Sequence, residues 1–552
     1  MKKIVLLILI ATCLTKLAMG QERILLTSDR DVYIGGEELW LNLTSTTLSE
    51  DSHTISSKVA YLELINSNNE PVIQEKVLLH NGRAATKILL PDTISTGNYL
   101  LRTYTRWMTN FDASYFDTKL VSVINPFVKN SLPNINEANK NNDDKVDLMS
   151  ESSELITGLK TTYANRQKVS FQIEYEKDVV STVVSVAKAC LYNNLEKQKQ
   201  PAQSQQLNEQ LLAPELKGEI ISGTISNIDD GHAIVDEKLT LSFVGNNPIL
   251  EFATTDEQGR FAFEANRYGK QEMVIQPYLI DTAKLNYKIT LLDNFSNQFS
   301  DEMPLLYMDS LRVNAINKAI VNMQVSAVYD RHLPDLAMMD SIESQHAFYH
   351  YPEKSVLIDK YIELPTVEEI IKEIVPSVVL RKSKGKYEFR VYEDDSYYPR
   401  DGKTMVFMDG VPIADIDRIL KMSPEYLSKI DVLNLNYYLL NENLGRLLLF
   451  FTKDGDMGNM EFDTRIFRQV HNGYQNSYCF ISPDYSIEKV KNSPLADYRN
   501  LLFFKTFESQ LMNENDVVEF YTGDDSSDYI VEVTQIKADG DRLISRTKMR
   551  VE

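Results

Sequence analysis

The stretch that decides the fold is residues 404–455, TMVFMDGVPIADIDRILKMSPEYLSKIDVLNLNYYLLNENLGRLLLFFTKDG. It opens with an apolar run, residues 405–408, whose length is typical of a buried strand. Asp409-Gly410 then supplies the residues that a tight hairpin turn requires, because glycine accepts a positive φ without a steric clash. Val411-Pro412-Ile413 returns as a short edge piece, since proline cannot donate to a sheet ladder.

Short helices and two further strands complete this stretch. Ser423-Pro424-Glu425 has the capping residue and the early proline of a helix start. Residues 429–433 alternate apolar and polar side chains, and Gly445 precedes an apolar run over residues 446–452. The sequence therefore predicts a small α/β domain.

The order of these elements resembles the plug domain of TonB-dependent outer-membrane receptors. The residues that carry the resemblance are Asp409-Gly410-Val411-Pro412, Ser423-Pro424-Glu425, Ile430-Asp431-Val432 and Gly445. The segment before the closing strand lacks the glycine-rich signature that is usual in such plugs. Only 97 residues follow Gly455, fewer than a receptor barrel needs. The resemblance therefore implies the shape of a plug without its barrel.

The N-terminus predicts export. Lys2-Lys3 are followed by an apolar core over residues 4–10 and by the small-x-small site Ala18-Met19-Gly20. We therefore expect residues 1–20 to be a signal peptide. We expect the mature chain to be periplasmic or outer-membrane-associated in a Gram-negative bacterium. Lipidation at Cys13 is the alternative, which Thr12 at the preceding position disfavours.

The mature chain is acidic, because removing the three lysines of the leader takes the formal charge from −21 to −24. Such a surface argues against nucleic acid and anionic lipid as partners. Beyond the leader, no stretch approaches the roughly 20 apolar residues of a membrane helix. Cys190 and Cys479 fall in different predicted domains, so we expect no disulfide framework.

Residues 21–126 predict an all-β sandwich. The strand-like runs are residues 38–43, 59–65, 72–78, 84–90, 99–105 and 120–123. Asp29-Arg30-Asp31-Val32-Tyr33-Ile34-Gly35-Gly36-Glu37 and Gly97-Asn98-Tyr99 resemble the corresponding parts of macroglobulin-type domains. We expect Tyr33 to pack beneath the strand that follows it.

The next segments predict a linker and two more sandwiches. Residues 127–153 are rich in Asn, Asp and Ser and have no periodicity, which is typical of a linker. Residues 154–216 predict a second sandwich, because Tyr163 precedes a strand start at the same spacing as Tyr33. Residues 217–300 contain a tight turn between alternating runs and resemble the carboxypeptidase regulatory-like domain, a fold label that implies no peptidase.

Residues 301–464 predict a bridging helix followed by the plug-like domain, and residues 465–552 predict a C-terminal immunoglobulin-like β domain. The helix is expected over residues 308–329, where it would join the regulatory-like and plug-like domains. Its apolar stripe comprises Leu311, Ala315, Ile316, Ala319, Ile320 and Met323. The predicted fold class is thus mainly β and multidomain, with tandem β-sandwiches (macroglobulin/immunoglobulin-like) and one small α/β plug-like domain.

Catalytic and metal-binding motifs are weak in this sequence. Neither Cys190 nor Cys479 begins the Cys-Gly-Glu-Gln thioester of a macroglobulin trap, and no hydrolase, metalloprotease or P-loop signature occurs. His346 and His350 lack a third ligand at fixed spacing, and the acidic cluster at residues 524–528 lacks the calcium-loop pattern. We expect no enzyme activity, no cofactor and no metal site.

The candidate partner surface is Asp409, Gly410, Val411, Pro412 and Ile413 together with Tyr397 and Tyr398, because tyrosine is favoured at interfaces. Edge-strand packing explains the tyrosines equally well. The sequence favours a non-enzymatic, exported modular binding or scaffold protein that engages an envelope protein or an outer-membrane transport component. One alternative is a macroglobulin-related, protease-inhibitor-like defence protein without a thioester. Another is a transport accessory that contacts a separate barrel.

Overall fold

The computed structural model describes residues 22–47, 57–128, 134–136, 155–193, 211–278, 286–299, 303–309, 312–329, 347–383, 385–392, 404–458, 460–508 and 516–552. The predicted leader and most of the predicted linker lie outside these residues. The chain forms two compact units: unit 1 comprises residues 1–218, 295–340 and 474–552, and unit 2 comprises residues 219–294 and 341–473. The described secondary structure is mainly β, as predicted.

The first sandwich of unit 1 agrees closely with the strands predicted from the sequence. Numbered along the chain, its strands are β1 (Glu22–Ser28), β2 (Val32–Ile34), β3 (Glu38–Thr47), β4 (Val59–Ile65), β5 (Pro71–Leu78), β6 (Arg83–Leu89), β7 (Gly97–Tyr104) and β8 (Asp117–Ile124). One sheet has the order β1-β3-β6, and β2-β8-β7-β4-β5 form the other. Tyr33 is fully buried, as expected, and its hydroxyl donates to Asp29 Oδ1 at 2.8 Å.

The second sandwich of unit 1 combines two distant parts of the chain. Its strands are β10 (Ile156–Thr157), β11 (Thr162–Tyr163), β12 (Lys168–Ile173), β13 (Val179–Lys188), β30 (Leu501–Glu508), β31 (Val517–Tyr521), β32 (Asp528–Lys537) and β33 (Arg542–Val551). The sheets are β10-β12-β31 and β11-β33-β32-β13-β30. The segments predicted as a second and a C-terminal sandwich thus supply strands to the same two sheets. Strand patterns show that a strand exists but do not identify its partner.

The helix of unit 1 packs on the sandwiches instead of bridging the two predicted domains. Helix α1 (Val313–Tyr329) follows strand β20 (Tyr307–Asp309), which pairs with β9 (Asn134–Asn136). Ile316, Ala319 and Met323 of α1 join a buried cluster with Val32 and Ile34 of the first sandwich. The predicted stripe is therefore partly confirmed, but its predicted bridging position is wrong. The apolar stripe of a helix predicts that the helix packs against another surface, but it does not identify that surface.

A β-sandwich makes up the first part of unit 2, where the sequence resembles a regulatory-like domain. Its strands are β14 (Glu219–Asn227), β15 (Lys238–Phe243), β16 (Leu250–Thr254), β17 (Arg260–Ala265), β18 (Lys270–Pro277), β19 (Tyr287–Leu291) and β28 (Phe467–Asn472). The sheets are β17-β14-β19 and β16-β15-β18-β28. Strand β28 comes from the segment that the sequence assigned to the C-terminal domain. The next strand along the chain, β29 (Tyr474–Gln475), belongs to unit 1, where it pairs with β5.

The α/β part of unit 2 has the predicted order of elements. It contains β21 (Lys354–Leu357), α2 (Val367–Glu373), β22 (Val378–Ser383), β23 (Lys386–Val391), β24 (Thr404–Met408), β25 (Val411–Pro412), α3 (Asp417–Leu420), β26 (Leu427–Leu439) and β27 (Glu442–Thr452). The main sheet is β21-β26-β27-β24-β25, in which β24 and β27 run parallel. The last helix, α4 (Glu488–Lys491), belongs to unit 1. None of the helices in these described ranges is long and apolar enough to cross a membrane.

Strands β26 and β27 are longer than predicted and form one hairpin. The sequence predicts strands over residues 429–433 and 446–452, separated by a loop. The structure instead joins β26 and β27 through Leu440 and Asn441, both in the left-handed region with φ of 47° and 69°. Two consecutive left-handed residues are the geometry of a tight hairpin turn. The turn was missed because Leu-Asn is not a usual sequence for it.

Buried charges join the two sandwiches of unit 1. The fully buried carboxylate of Asp117 accepts from Leu26 N at 2.7 Å and forms an ion pair with Arg542, whose side chain is nearly buried. Asp31 pairs with Lys119 at 2.9 Å and lies 3.8 Å from Arg546. Burial raises the pKa of Asp31, but the two cations outweigh burial and leave it below the usual value. Ion pairs therefore connect β8 and the segment before β2 with β33.

The first prediction concerns this junction. We expect Arg542→Met to lower the free energy of unfolding of unit 1 by about 3–5 kcal/mol, because the buried carboxyl of Asp117 would lose its cationic partner. Denaturant unfolding followed by tryptophan fluorescence measures this change, since Trp40 and Trp107 both lie in unit 1.

Two further variants test the cause. Asp117→Asn combined with Arg542→Met should recover most of the loss, because no buried charge remains. Arg550→Met removes an exposed partner of Asp528 and should cost less than about 1 kcal/mol. Equal losses for the Arg542 and Arg550 variants would contradict the assignment.

Candidate functional site

The predicted partner surface is largely buried. Asp409, Gly410, Val411 and Pro412 are buried, and Ile413 is only partly exposed. A side chain at Gly410 would meet the backbone oxygen of Phe243 at 3.0 Å, which shows how closely the β24–β25 turn is covered. Tyr397 and Tyr398 lie outside the described residues. The turn motif was recognised correctly, but sequence spacing could not show that the sandwich of unit 2 covers it.

Asp409 anchors the turn. Its carboxylate accepts from Thr452 N at 2.8 Å, from Thr452 Oγ1 at 2.5 Å and from Met457 N at 2.7 Å. Burial raises the pKa of this carboxyl, while the bonds from Thr452 act in the opposite direction. A buried carboxylate that accepts bonds from the backbone stabilises local structure, and its burial keeps it from a partner. Asp409 therefore fixes the end of β27 to the β24–β25 turn.

The opposite end of the same sheet carries an exposed apolar surface. We call residues 434–445 the hairpin tip. Leu435, Tyr438 and Leu440 at this tip are 56%, 63% and 63% exposed. The tip lies about ten residues along β27 from Thr452, or about 30 Å at the usual strand rise. Three exposed large side chains within six residues of each other make the tip a candidate contact surface.

The hairpin tip is held on a rigid base. Its inward residues Tyr437, Leu439 and Leu444 pack in a cluster that includes Phe407 and Leu447. Glu442 pairs with Lys238 at 2.6 Å, and the hydroxyl of Tyr278 donates to Asn443 O at 3.2 Å. The β-sandwich of unit 2 thus supports the tip through these two contacts. A surface that is already ordered loses little conformational entropy when it binds.

The hairpin tip is also depleted in charge. Residues 432–441 contain no Asp, Glu, Lys or Arg, although these types make up 25% of the chain. The first charged side chain after this run, Glu442, is neutralised by Lys238. Interface cores are poor in charge and rich in tyrosine and other large side chains. In its lack of charge and its large side chains, the tip is therefore similar to interface cores in general.

Leu440 occupies a strained backbone conformation. Its φ of 47° lies in the left-handed region, which costs a leucine about 1–2 kcal/mol and which asparagine tolerates better. The exposed side chain gains little burial in return. Strain at an exposed position suggests a role other than stability. The sequence signal was the uncharged run VLNLNYYLLN, but it can be recognised as a surface only once the hairpin is known.

The other candidate ligands form structural contacts. The sequence places the acidic cluster at residues 524–528 on a solvated hairpin tip. Asp524 accepts two bonds from Arg166 at 2.7 Å, and Asp525 pairs with Lys188 and Lys318 and accepts from Asn322 Nδ2 at 3.0 Å. His350 is exposed, and His346 lies outside the described residues. Within the described ranges, no group of three His, Cys, Asp or Glu side chains is placed to hold a metal.

Comparisons with known proteins give distant structural likenesses. No protein-family model and no curated protein matches the chain. It is similar to Salmonella alpha-2-macroglobulin reacted with methylamine, at 12% identity, 97% of this chain, 40% of that chain and a TM-score of 0.23. It is also similar to native Escherichia coli alpha-2-macroglobulin, at 10% identity over 97% of this chain and 40% of that chain, with a TM-score of 0.24. A third likeness is to the D0-D1 domain of intimin, at 9% identity over 46% of this chain and 91% of that chain, with a TM-score of 0.13.

This chain spans about 40% of the length of the macroglobulin structures it resembles. TM-scores this low support no conclusion about activity. The regulatory-like and plug-like resemblances stay predictions.

The second prediction tests the structural role of Asp409. We expect Asp409→Ala to lower the stability of the α/β part of unit 2 by about 3 kcal/mol, because two buried N–H groups lose their acceptor. Hydrogen exchange of the amides in β24 and β27 should speed up accordingly. Asp415→Ala, in the exposed loop that follows β25, is the matched control and should leave the exchange unchanged. Unaltered protection in Asp409→Ala would contradict the anchoring role.

The third prediction concerns Asp525. Burial raises its pKa, but the bonds from Lys188 and Lys318 outweigh burial and lower the pKa to about 2. The pKa of an aspartate in the unfolded chain is about 3.9. A carboxyl with a depressed pKa contributes stability above that unfolded value and loses it as the pH falls towards about 2. The expected contribution is about 2.5 kcal/mol.

Acid unfolding of Asp525→Asn tests this contribution. Between about pH 6 and pH 2.5, the unmodified protein should lose about 2 kcal/mol more stability than Asp525→Asn. Asp539→Asn, at an exposed turn, should behave like the unmodified protein. The same loss on acidification in all three proteins would show that the pairing of Asp525 does not contribute.

Proposed function

We propose that this chain is an exported, modular binding protein that engages a protein partner of the bacterial envelope through its hairpin tip. The observation that carries the proposal is the strained, exposed Leu440 between Tyr438 and the turn residue Asn441. Its backbone geometry disfavours leucine, and its side chain lies mostly in solvent. Contact between this side chain and a partner would explain why a leucine occupies the position despite its backbone strain and its exposure.

The composition of the hairpin tip supports a protein partner with an uncharged, partly apolar recess. Leu435, Tyr438 and Leu440 offer large side chains, and the neighbouring asparagines offer donors and acceptors for a polar rim. The mature chain has a charge of −24, so most of its surface would repel an acidic partner. Because residues 434–441 of the hairpin tip carry no charge, this repulsion would be smaller where the partner makes contact.

The fourth prediction separates binding from stability. Leu440→Asn should stabilise unit 2 by up to about 1 kcal/mol, because asparagine tolerates the left-handed region better than leucine. The same change should weaken partner binding, because the most exposed apolar side chain of the turn is lost. A substitution that stabilises the fold and weakens binding distinguishes a contact residue from a structural one.

Photo-crosslinking in intact envelopes provides the measurement. A benzophenone amino acid at position 438 should crosslink one envelope protein, and Leu440→Asn in the same chain should reduce the yield several-fold. Val470→Thr, at an exposed position on β28, is the matched control and should leave the yield unchanged. A crosslinked outer-membrane barrel would identify a transport component, and a periplasmic or surface protein would identify a scaffold partner. An unchanged yield in the combined variant Leu435→Ser with Leu440→Asn would refute the proposal.

A further inference from the structure

The first sandwich of unit 1 contains a cavity, which we call the loop cavity, whose described walls carry no charge. Its volume is about 500 Å³, which is within the range of ligand-binding sites. The β4–β5 turn, Val72, the loop from β6 into β7 and residues 304–306 line it. Charged residues make up 25% of the chain, yet none occurs among the fifteen described residues of the wall.

The β6–β7 loop, which forms one wall, is fixed by a buried asparagine. Asn125 is 1% exposed, and its Nδ2 donates to Asp92 O at 2.7 Å and to Ile94 O at 2.5 Å. Its backbone N–H donates to Thr96 Oγ1 at 2.9 Å. One residue thus holds the loop at three positions. A wall that is already ordered loses little conformational entropy when a ligand binds.

Asparagines also fix the other two walls. In the β4–β5 turn, Asn66 Oδ1 accepts from Asn68 N at 2.9 Å and from Glu70 N at 3.0 Å, which is the pattern of an Asx turn. At the third wall, Asn98 Nδ2 donates to Pro304 O at 2.9 Å. The loop cavity is therefore preformed.

Four polar side chains of the wall are available to a ligand. The hydroxyls of Ser67, Thr93 and Ser95 and the side-chain amide of Asn68 make no hydrogen bond to another residue in the described part of the chain. All four residues are exposed. Hydroxyl and amide groups both donate and accept, so each of them can pair with a ligand hydroxyl in either direction.

Apolar surface lies in the same walls as these polar groups. Val72 is 39% exposed and Leu305 is 66% exposed. Ligand sites usually combine apolar surface with a few polar groups that fix the orientation of the ligand. A sugar ring matches this combination, because it presents C–H groups on its faces and hydroxyls around its rim.

The charge of the chain disfavours an ionised ligand. Glu70 and Asp92 belong to the two loops, but neither lines the loop cavity. An anion would have no cation to pair with among the described residues of the wall, and it would be repelled by a mature chain of charge −24. A cation would have no carboxylate to pair with in the same wall. The loop cavity therefore suits an uncharged ligand.

We propose that the loop cavity binds a neutral, polyhydroxylated ligand, namely a short uncharged oligosaccharide. The hydroxyls of Ser67, Thr93 and Ser95 and the amide of Asn68 would pair with sugar hydroxyls. The apolar side chain of Leu305 would contact a ring face. The loop cavity lies in unit 1 and the hairpin tip in unit 2, so this proposal does not depend on the proposed function.

Isothermal titration calorimetry with the full mature chain tests the proposal. The probes are the neutral trisaccharides maltotriose, cellotriose, mannotriose and N-acetylchitotriose, of which at least one should bind saturably. The same trisaccharide with its primary alcohols oxidised to carboxylates should bind at least about tenfold more weakly, because the described wall offers no cation to its carboxylates.

Removal of two hydroxyls locates the site. Thr93→Val combined with Ser95→Ala should weaken binding of the neutral trisaccharide at least about fivefold, because two hydrogen bonds to the ligand are lost. Thr162→Val combined with Ser170→Ala, at exposed positions on β11 and β12 outside the cavity, is the matched control and should bind like the unmodified protein. Circular dichroism confirms that each variant is folded.

A cation placed in the wall tests the selection by charge. Ser95→Lys should reverse the preference, so that the oxidised trisaccharide binds more tightly than the neutral one. A reversed preference cannot result from a loss of folding, because an unfolded chain would bind neither form.

Three outcomes would overturn the proposal. They are no saturable binding of any of the neutral trisaccharides, equal binding of the neutral and oxidised forms, and unchanged binding by Thr93→Val with Ser95→Ala. The first two results come from the unmodified protein and do not depend on how the variants fold. If no trisaccharide binds but the neutral peptide acetyl-Thr-Val-Leu-Val-Thr-amide binds and is weakened by the same two substitutions, the cavity is a polypeptide site and the proposal is refuted.

Discussion

The pairing of strand β13 is the constraint on which the rest of unit 1 depends. Eight of its ten residues are buried, and it lies between β30 and β32, which come from the far end of the chain. A buried strand needs hydrogen-bond partners on both edges. The second sandwich therefore cannot close until residues beyond position 500 return to it. All of unit 2 is inserted between the two parts of that sheet.

This arrangement explains why charged residues at the start of the first sandwich are buried. Arg30 pairs with Glu37 at 2.7 Å, and Glu37 also accepts from Asn500 Nδ2 at 2.6 Å. The hydroxyl of Tyr192 donates to Asp29 O at 3.1 Å. The Asp-Arg-Asp motif of this segment therefore does more than form a turn. It supplies the polar contacts that hold the first sandwich to the second, where desolvated charges require exact partners.

The two ends of the α/β sheet of unit 2 differ in burial. Asp409 at one end is buried and accepts three hydrogen bonds, whereas Leu440 at the other end is exposed. The sequence identified the Asp409 turn because aspartate and glycine have strong local preferences. It predicted a contact surface there because a local preference does not reveal burial. The hairpin tip was missed because a Leu-Asn turn has no such preference, and its geometry comes from the register between β26 and β27.

The sequence by itself determined the mainly β class, most strands of the first sandwich and the order of elements in the α/β part. These features depend on local periodicity and on turn residues, which act over a few positions. Only the tertiary structure decided which strands share a sheet, which face of α1 is covered and which polar residues are buried. Those outcomes depend on contacts between residues that are hundreds of positions apart, such as Glu37 with Asn500 and β13 with β32. Local patterns predict that a strand or a buried charge has a partner. Only the tertiary contacts of the folded chain identify that partner.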